Sequence, residues 1–414
     1  MVFKWLNSPG ECRESRGGTY AGSMSDRACV VFDEALTSYD FGATHPMAPV
    51  RIDLTMQLAR ELGVLDRLDV VGAVPATEDE LALVHTPQYI ERVQHLSAHP
   101  HGSDMTLGLG SEDNPVFGHM HEASALIAGA SVEAARRVWT GQAPRAVNIS
   151  GGLHHAMPGH ASGFCIYNDV ALAIRWLLDN GAHRVAYVDV DAHHGDGVQK
   201  MFWDDPRVLT ISLHESPQTL FPGTGYSTEV GGEHATGSAV NVPLPPGTAD
   251  AGWLRAFHAV VPPLLRAFAP DILVTQHGCD SHMDDPLTNL MLTVDGQRAA
   301  YLALRDLAAE ITGGKWVATG GGGYAVLDVV PRAWAHLLAI VSGHPLEPEQ
   351  LTSPGWRDRI QQMRGTPALS TMTDGRNPAY RDWSLGYDPA SWLDRSIQAT
   401  RMATFPLWGL DPQP

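Results

Sequence analysis

The clearest structural signal in the chain is the stretch Tyr187-Val-Asp-Val-Asp-Ala-His-His-Gly-Asp-Gly197. The mostly apolar run from Val185 to Val190 predicts a buried parallel strand. Ionisable residues with interleaved glycines follow, and burying so many of them at a strand end is costly unless a cation or hydrogen bonds compensate. Asp191 and His193 lie two residues apart, so their side chains point the same way in an extended chain. Together they form the first half of a transition-metal site.

Three other segments repeat this pattern, in which a short apolar strand delivers polar residues to a turn. They are Asn148-Ile-Ser-Gly-Gly-Leu-His-His-Ala156, Ile272-Leu-Val-Thr-Gln-His-Gly-Cys-Asp280 and Trp316-Val-Ala-Thr-Gly-Gly-Gly-Gly-Tyr324. Adjacent histidines suit proton transfer because imidazole titrates near neutral pH. Four glycines allow close approach of the backbone, and the lack of a following Lys-Ser/Thr argues against a phosphate loop. Since ligands bind beyond the carboxyl ends of parallel strands, the four segments predict one shared site.

Strand-like runs alternate with helical ones along the chain. This alternation predicts an α/β fold, with a single domain built on an open, mainly parallel β-sheet flanked by helices on both faces. The segment Val242-Pro-Leu-Pro-Pro-Gly247 is expected to be a loop that forms one wall of the cleft. The candidate helices are Asp53–Leu62, Glu122–Trp139, Val170–Asn180, Trp253–Ala267 and Val294–Ile311.

The composition argues against two classes of partner. The formal net charge of the 414 residues is −18, and we expect no direct nucleic-acid binding because a DNA partner requires a basic patch. No apolar run reaches the roughly 18 residues that a membrane span requires, so no membrane partner is expected.

Three parts of the chain can be distinguished. Residues 1–24 are Gly/Ser/Arg-rich and lack an apolar secretory core, which predicts a disordered leader. Residues 25–345 carry all the motifs and are predicted to form the catalytic domain. Residues 346–414 are predicted to be an extension that packs on it. The four cysteines lack Cys-x-x-Cys spacing, so we expect free thiols in a reducing cytoplasm.

Taken together, the motifs resemble the histone deacetylase family of the arginase/deacetylase superfamily. The resemblance runs from about residue 28 to about residue 345. The segment Gly108–Phe117 and the C-terminal extension are most similar to the bacterial acetoin-utilization members. The matching motifs are Tyr39–Met47 with Arg51, Gly151–His155, Ser162–Cys165, Asp189–Asp196, Phe221–Gly225, Gly278–Asp280 and Gly321–Tyr324.

The resemblance implies a catalytic metal. Asp191, His193 and Asp280 would bind one Zn²⁺, and three protein ligands leave a coordination position open for water and substrate. Fe²⁺ is the alternative ion, since imidazole and carboxylate ligands accept both metals. The same comparison implies a structural K⁺ site that involves Asp189, Asp191, His193 and Ser212.

The resemblance also implies the acid–base groups. His155 would act as general base and then as general acid, with His154 oriented towards the same water. Asp196 and Asp189 would hold the two imidazoles and set their tautomers. Tyr324 would donate a hydrogen bond to the oxyanion that forms when water attacks the amide.

A narrow apolar tunnel is the substrate pocket that the resemblance implies. Its two phenylalanines would form the walls, with a glycine beside the first, and a leucine would form one side of the rim. An aspartate at the mouth would accept hydrogen bonds from a peptide backbone, and an arginine would line an inner cavity through which acetate leaves. The implied substrate-contact residues are Asp113, Gly163, Phe164, Phe221, Leu287 and Arg51.

The implied activity is metal-dependent hydrolysis of the side-chain amide of N6-acetyl-lysine in proteins. Likeness to the acetoin-utilization members implies acetyl-CoA synthetase as a substrate. One alternative is an acetylpolyamine amidohydrolase, although such enzymes usually carry Pro-Gly-His-His where this chain has Gly-Gly-Leu-His-His. An arginase-like hydrolase with two metals and a non-catalytic acetyl-lysine reader also remain open.

Overall fold

Eight parallel strands form one sheet in the computed structural model, which describes residues 27–414. The leader predicted for residues 1–24 lies outside the described residues. In chain order the strands are β1 (Cys29–Val31), β2 (Asp69–Val71), β3 (Arg145–Asn148), β4 (Val185–Asp189), β5 (Val208–Glu215), β6 (Ala239–Leu244), β7 (Ile272–Gln276) and β8 (Trp316–Thr319). Their order across the sheet is β2-β1-β3-β8-β7-β4-β5-β6.

Helices connect the strands and cover both faces of the sheet. All five helices expected from the sequence are present, with ends shifted by no more than one turn. The helices are α1 (Val50–Glu61), α2 (Glu78–Leu81), α3 (Pro87–Ala98), α4 (Met120–Trp139), α5 (Asp169–Asp179), α6 (Asp196–Met201), α7 (Asp250–Phe268), α8 (Val294–Ile311), α9 (Val330–Val341), α10 (Pro354–Arg364) and α11 (Trp392–Thr404). Short 3-10 helices span Glu34–Ser38, Leu65–Arg67, Met105–Leu107, Trp383–Leu385 and Phe405–Trp408.

The central strand β4 explains why the sheet is buried on both faces. Its alternate residues Ala186 and Val188 belong to the core that contains α7, α8 and α9. Val185 and Tyr187 point the other way, into the core that contains α4 and α5. A parallel strand covered on both faces is apolar at nearly every position, and this is the pattern from which it was predicted. The open parallel sheet with helices on both faces is therefore confirmed.

The expectation of a loop at Val242–Gly247 is wrong for its first half. Strand β6 continues to Leu244, where it pairs with Glu215 of β5. Proline is tolerated at Pro243 because β6 is an edge strand, so a missing N–H leaves no partner strand unsatisfied. The turn comprises only residues 245–247.

The C-terminal segment, residues 346–414, packs against the sheet and its helices. Helix α11 lies on α7 and along the edge strand β6, where the Thr400 hydroxyl donates to the Asn241 carbonyl at 2.6 Å. A helix over an edge strand shields it from pairing with another chain. Within residues 27–414, no helix has both the length and the apolarity needed to cross a bilayer.

Candidate metal and catalytic site

Four neighbouring strands, β3, β8, β7 and β4, end in polar residues that lie in register, and β5 carries a serine at the same level before it continues to Glu215. Asn148 pairs with Thr319, Thr319 with Gln276, Gln276 with Asp189, and Asp189 with Ser212. The turns that follow these strands therefore start side by side. This register brings the four segments singled out in the sequence to one place, as expected for ligand sites in open parallel sheets.

The three predicted metal ligands lie close together at the edge of the sheet where these turns begin. Asp191, His193 and Asp280 each offer a ligand atom, and these atoms lie within 4.8 Å of one another. His193 Nδ1 is 3.1 Å from Asp191 Oδ1 and 3.0 Å from Asp280 Oδ2. All three residues are buried. No other such group of three is found among the described residues, and this group could hold a metal ion.

The remaining carboxylate oxygens of the group are held by the protein. Asp191 Oδ2 accepts hydrogen bonds from Gln276 Nε2 at 2.7 Å and from the Gly322 N–H at 2.8 Å. Asp280 Oδ1 accepts one from the Ala192 N–H at 2.8 Å. Each carboxylate thus keeps its other oxygen facing His193. Such outer hydrogen bonds orient metal ligands and tune their basicity.

The electrostatics of the group fit a bound dication. Burial, and then the charge of Asp191, raise the pKa of the Asp280 carboxyl. Burial alone would also raise the pKa of Asp191, but the neighbouring His154 and His193 outweigh it and hold that pKa well below its usual value. Two buried carboxylates that share one imidazole are costly without further positive charge. A divalent metal ion with oxygen and nitrogen ligands supplies that charge.

Two histidine–carboxylate pairs lie beside the metal group. His154 Nδ1 is 2.7 Å from Asp189 Oδ2, and His155 Nδ1 is 2.7 Å from Asp196 Oδ1. The two Nε2 atoms are 3.1 Å apart. A carboxylate only accepts hydrogen bonds, so each Nδ1 carries its proton and each Nε2 points towards the reaction space. The predicted pairing of each histidine with its aspartate is present in the geometry.

The two imidazoles differ in basicity. Burial by itself would lower the pKa of His154, but the carboxylates of Asp189 and Asp191 outweigh it and raise the pKa to about 9. Burial, and then the charge of His154, lower the pKa of His155. Paired titratable groups whose environments move their pKa values apart divide acid and base roles between them. The geometry makes His155 the neutral partner and therefore the better base.

Asp169 follows the Ser162–Cys165 motif but received no role from the sequence. Its buried carboxylate accepts hydrogen bonds from the backbone N–H groups of Gly152 and Leu153, at 3.0 and 2.7 Å, and from the Ser131 hydroxyl at 2.5 Å. These bonds hold the turn that leads into His154. The sequence did carry one signal for this role. Asp169 is an aspartate at the start of helix α5 with no basic residue close to it in sequence.

A pocket of about 220 Å³ opens above the metal group. His155, His193 and Tyr324 line its inner part. Five of the six predicted substrate-contact residues line the rest, namely Asp113, Gly163, Phe164, Phe221 and Leu287. Leu220 also lines the pocket and was missed, because an apolar residue beside Phe221 gives no separate signal.

The wall at Phe164 is built on an unusual backbone conformation. Phe164 has φ +67° and Gly163 has φ +51°. A Cβ at Gly163 would lie 2.5 Å from His155 Cδ2, so only glycine fits there. The Tyr39 hydroxyl donates to the Phe164 carbonyl at 2.7 Å and accepts from the Ile166 N–H at 3.1 Å. This bracing turns the aromatic ring towards the pocket, 5.7 Å from the ring of Tyr324.

Arg51, the sixth residue, lies behind the pocket and not in it. Its guanidinium donates to the Gly321 carbonyl at 2.8 Å and lies 5.1 Å from the Trp334 ring centroid. It lines a small inner cavity together with Met47 and Leu153. This is the inner position that the resemblance implied for it.

Asp189 and Ser212, the two further residues of the predicted K⁺ site, are neighbours on β4 and β5. The Asp189 carboxylate accepts from the Tyr187 hydroxyl at 2.6 Å, and the Ser212 hydroxyl is 2.8 Å from His214 Nδ1. The strand register brings the predicted residues together, and the ion assignment stays a prediction.

Comparison with known proteins identifies the family. A family model described as the histone deacetylase domain matches residues 45–341. The chain belongs to the histone deacetylase family. It is 42% identical over 346 residues to the acetoin utilization protein AcuC of Bacillus subtilis (strain 168), covering 83% of this chain and 89% of that protein. It is 37% identical over 389 residues to the AcuC of Staphylococcus aureus (strain MRSA252), covering 90% and 98%.

Solved structures of histone deacetylase homologues share the fold. The crystal structure of an HDAC homolog from Aquifex aeolicus matches with a TM-score of 0.78 and 26% identity, over 91% of this chain and all of that one. The arginase/deacetylase fold is thereby confirmed. The chain is a member of a metal-dependent hydrolase family, and its buried Asp-His-Asp group can bind a metal ion.

Proposed function

We propose that this chain hydrolyses the side-chain amide of N6-acetyl-lysine in proteins. One observation carries the proposal. The candidate metal group lies at the floor of a narrow pocket whose inner wall holds a neutral histidine and a tyrosine. A neutral acetamide on a slender apolar methylene stem fits such a pocket, and membership of the histone deacetylase family supports the reaction class.

Asp191, His193 and Asp280 would hold the catalytic ion. A bound divalent cation polarises the acetyl carbonyl and acidifies water. The donor set of two carboxylates and one imidazole accepts both Zn²⁺ and Fe²⁺, and we propose Zn²⁺ because a site with three protein ligands and an open position is typical of catalytic zinc. A structural K⁺ at Asp189, Asp191, His193 and Ser212 is proposed by family resemblance.

His155 would move the protons. Its Nδ1–H donates to Asp196, so its Nε2 carries the lone pair that can accept a proton from the attacking water. His154, kept more basic by Asp189 and Asp191, remains a hydrogen-bond donor to the same space. The histidine protonated in this step then gives its proton to the departing lysine amine.

Tyr324 would stabilise the tetrahedral oxyanion. Its side chain lines the pocket with His155 and His193. Burial raises the pKa of the Tyr324 hydroxyl well above its usual value, and the charge of Asp280 adds to this. The hydroxyl therefore keeps its proton and can donate a hydrogen bond where negative charge develops.

The rim supports a peptide rather than a small diamine. Asp113 is exposed at the mouth, where its carboxylate can accept hydrogen bonds from the backbone on either side of an acetylated lysine. Phe221 and Leu287 are 44% and 38% exposed, which leaves apolar surface around the opening for flanking residues. Likeness to the AcuC proteins leads us to propose acetyl-CoA synthetase as a protein substrate, in the cytoplasm.

A side-by-side assay tests the proposal. Protein reconstituted with Zn²⁺ or, anaerobically, with Fe²⁺ is given an acetyl-lysine peptide, acetylated putrescine or acetylated acetyl-CoA synthetase, and acetate release is measured. We expect the peptide and the synthetase to be deacetylated and the diamine to react much more slowly.

Each result of this assay decides a separate question. Preference for the diamine would replace the proposal with an acetylpolyamine amidohydrolase. Peptide binding without acetate release would indicate an acetyl-lysine reader. A large fall in kcat, with measurable residual activity, is required in both His155→Ala and Tyr324→Phe, and full activity of the two variants would refute the assigned roles.

A further inference from the structure

The segment before Tyr324 has no side chains that could fix its position. It consists of Gly320, Gly321, Gly322 and Gly323, and two of these glycines have φ values of +154° and +147°. Four residues without side chains make no packing contacts of their own beyond the backbone. The orientation of the Tyr324 hydroxyl therefore depends on groups elsewhere in the chain.

Hydrogen bonds hold the first part of this run. The Gly322 N–H donates to Asp191, and the Gly322 carbonyl accepts from the Cys279 N–H at 2.8 Å. Arg51 holds the carbonyl of Gly321. These bonds place the run against the metal group, and Arg51 adds only a longer contact of 3.4 Å to the carbonyl of the last glycine, which directly precedes the tyrosine.

Asp285 holds the tyrosine itself. Its Oδ2 accepts a hydrogen bond from the Tyr324 N–H at 2.8 Å, and its Oδ1 accepts one from the Leu287 N–H at 3.0 Å. One carboxylate thus links the backbone of the proposed oxyanion donor to that of a residue at the pocket rim. The two segments follow different strands, β8 and β7.

Within the described part of the chain, the Asp285 carboxylate is buried without a basic partner, which is costly for a contact that only holds the structure together. Asp285 is only 7% exposed, and no arginine, lysine or histidine forms an ion pair with it among residues 27–414. A buried carboxylate without a basic partner is costly unless hydrogen bonds to its charged form compensate. The two backbone N–H groups supply part of that compensation, although burial still raises the pKa of the Asp285 carboxyl to about 6.

The loop that carries Asp285 is itself anchored on both sides. His282 Nε2 is 2.9 Å from Asp374 Oδ2. On the far side, buried Glu215 accepts hydrogen bonds from the Asn289 N–H at 2.7 Å and from its side-chain amide at 2.8 Å. A rigid support is what a positioning group needs to transmit a fixed geometry.

We propose that Asp285 is a positioning residue for catalysis, which fixes the backbone of Tyr324 so that its hydroxyl meets the oxyanion. This inference rests on the proposed function, because it acts through Tyr324. Asp285 does not touch the reacting atoms. Its effect on the rate must therefore vanish when the tyrosine hydroxyl is absent.

A double-mutant cycle tests this dependence. Asp285→Asn keeps the shape but replaces one acceptor oxygen with an NH₂ donor, so either the Tyr324 or the Leu287 N–H loses its partner. With Zn²⁺-reconstituted protein and an acetyl-lysine peptide, we expect kcat to fall about tenfold, the effect of one hydrogen bond to a charged group, while KM changes little. In the Tyr324→Phe background the same substitution should change kcat less than about twofold.

A second readout does not depend on activity. Hydrogen exchange of a peptide that covers residues 320–329 reports opening of the Tyr324 N–H, and we expect it to accelerate at least about tenfold in Asp285→Asn. Asp284→Asn is the matched control, since it removes the same charge one residue away from a side chain that is 69% exposed. Its kcat and exchange should equal those of the wild type.

The outcomes separate this inference from the proposed function. Equal losses of kcat in the wild-type and Tyr324→Phe backgrounds, or unchanged exchange, would overturn the role of Asp285 while leaving deacetylation intact. A wild-type protein without deacetylase activity would overturn the proposed function first. If Asp285→Asn does not fold, the cycle is run with Asp285→Glu, which keeps the charge but moves the carboxylate by one methylene, and the same dependence on the tyrosine is required.

Discussion

The pocket floor and the contact made by the C-terminal segment both bury carboxylates, but they compensate them differently. In the C-terminal contact, Arg255 forms two 2.9 Å hydrogen bonds with Asp394. Its remaining donors reach the carbonyls of Arg381, Asp382 and Gly386 at 2.7–2.9 Å. On the floor, Asp191 and Asp280 share the single imidazole of His193.

This difference separates a structural ion pair from a ligand site. When one partner of a buried ion pair is removed, the other charge stays buried without compensation and the fold is destabilised. In the Arg255–Asp394 pair every donor and acceptor is already used, so none is available to bind a ligand. Two like charges held about 3 Å from one ring nitrogen are poorly compensated by the protein alone. A bound cation should therefore stabilise the pocket floor more than it could stabilise the C-terminal contact. Substitution of a charged residue should lower activity at the pocket floor and stability at the C-terminal contact.

The largest effect is expected from Asp280→Asn. Loss of one anionic ligand should remove metal binding and lower kcat/KM by at least about a thousandfold, because polarisation of the carbonyl contributes several kcal/mol. The unfolding free energy of the metal-free protein should stay unchanged or rise, since one of two buried like charges disappears. Metal content by mass spectrometry and urea unfolding check both statements.

A chelator provides the matching control on wild-type protein. Activity should disappear on metal removal and return on adding Zn²⁺, whereas Asp280→Asn should not recover. A metal-free Asp280→Asn protein that unfolds several kcal/mol more easily than metal-free wild type would contradict the view that the floor lacks positive charge.

The next largest effect is expected from His155→Ala. Removing a general base costs about a hundredfold to ten-thousandfold in kcat. Metal content should stay unchanged, because His155 is not one of the three clustered ligand residues. Comparison with His154→Ala, which removes the more basic ring, measures how far the two roles are separate. Equal kcat in wild type and His155→Ala would refute the assignment.

Much of the site could be predicted because its residues follow strands. Asp191, His154 and Tyr324 lie in the turns that follow apolar strands, and parallel strands must bring their carboxyl ends to one edge. Their individual roles came from family resemblance and not from spacing. Asp285 gave no such signal, because its contacts are with backbone N–H groups, one of which lies in the segment after another strand. Gln276 lies within one of the motifs, but its contact with Asp191 depends on strand register.

The fold could be predicted to a similar extent. Amphipathic helices such as α8 show a periodic pattern, and its bounds Val294–Ile311 were expected without error. Helix α9 was missed: all twelve of its residues are buried, and a short buried apolar segment is hard to assign to a helix or a strand from its pattern. The strand through Pro243 was taken for a loop, since edge position cannot be read from local sequence.

Arg255→Ala should act on stability and leave the chemistry intact. It leaves Asp394 buried without its cation, which costs about 3–5 kcal/mol in unfolding free energy. The value of kcat for folded protein at low temperature should match wild type, because Arg255 lies in α7 and not at the pocket. Urea unfolding and steady-state assays measure the two quantities.

An exposed pair is the control for Arg255. Arg266 forms two hydrogen bonds with Glu310 in a geometry similar to that of Arg255, but both side chains are at least half exposed. Arg266→Ala should lower the unfolding free energy much less than Arg255→Ala does. If the two arginine variants lose similar stability, burial of the C-terminal contact does not decide its strength.

The smallest effect is a pH dependence at Asp374 of the C-terminal segment. Burial alone would raise the pKa of this carboxyl, but the hydrogen bond from His282 and the charge of Arg332 outweigh it and hold the pKa well below its usual value. The charged form therefore stabilises the fold above the unfolded-state pKa of about 3.9, and this contribution is lost as pH falls further. At pH 7, Asp374→Asn should lower the unfolding free energy by about 1–3 kcal/mol.

The difference between wild type and Asp374→Asn is the quantity to follow with pH. It should stay constant from pH 7 to about pH 5 and shrink as pH falls below about 4, because the unfolded chain then binds a proton at this carboxyl that the folded protein does not bind. Asp358→Asn, at an exposed position in the same segment, should show a small difference at every pH. Asp280→Asn and Asp374→Asn are the same chemical change, yet they should move the stability of metal-free protein in different directions. If both lower it equally at pH 7, the contrast between the pocket floor and the C-terminal contact is wrong.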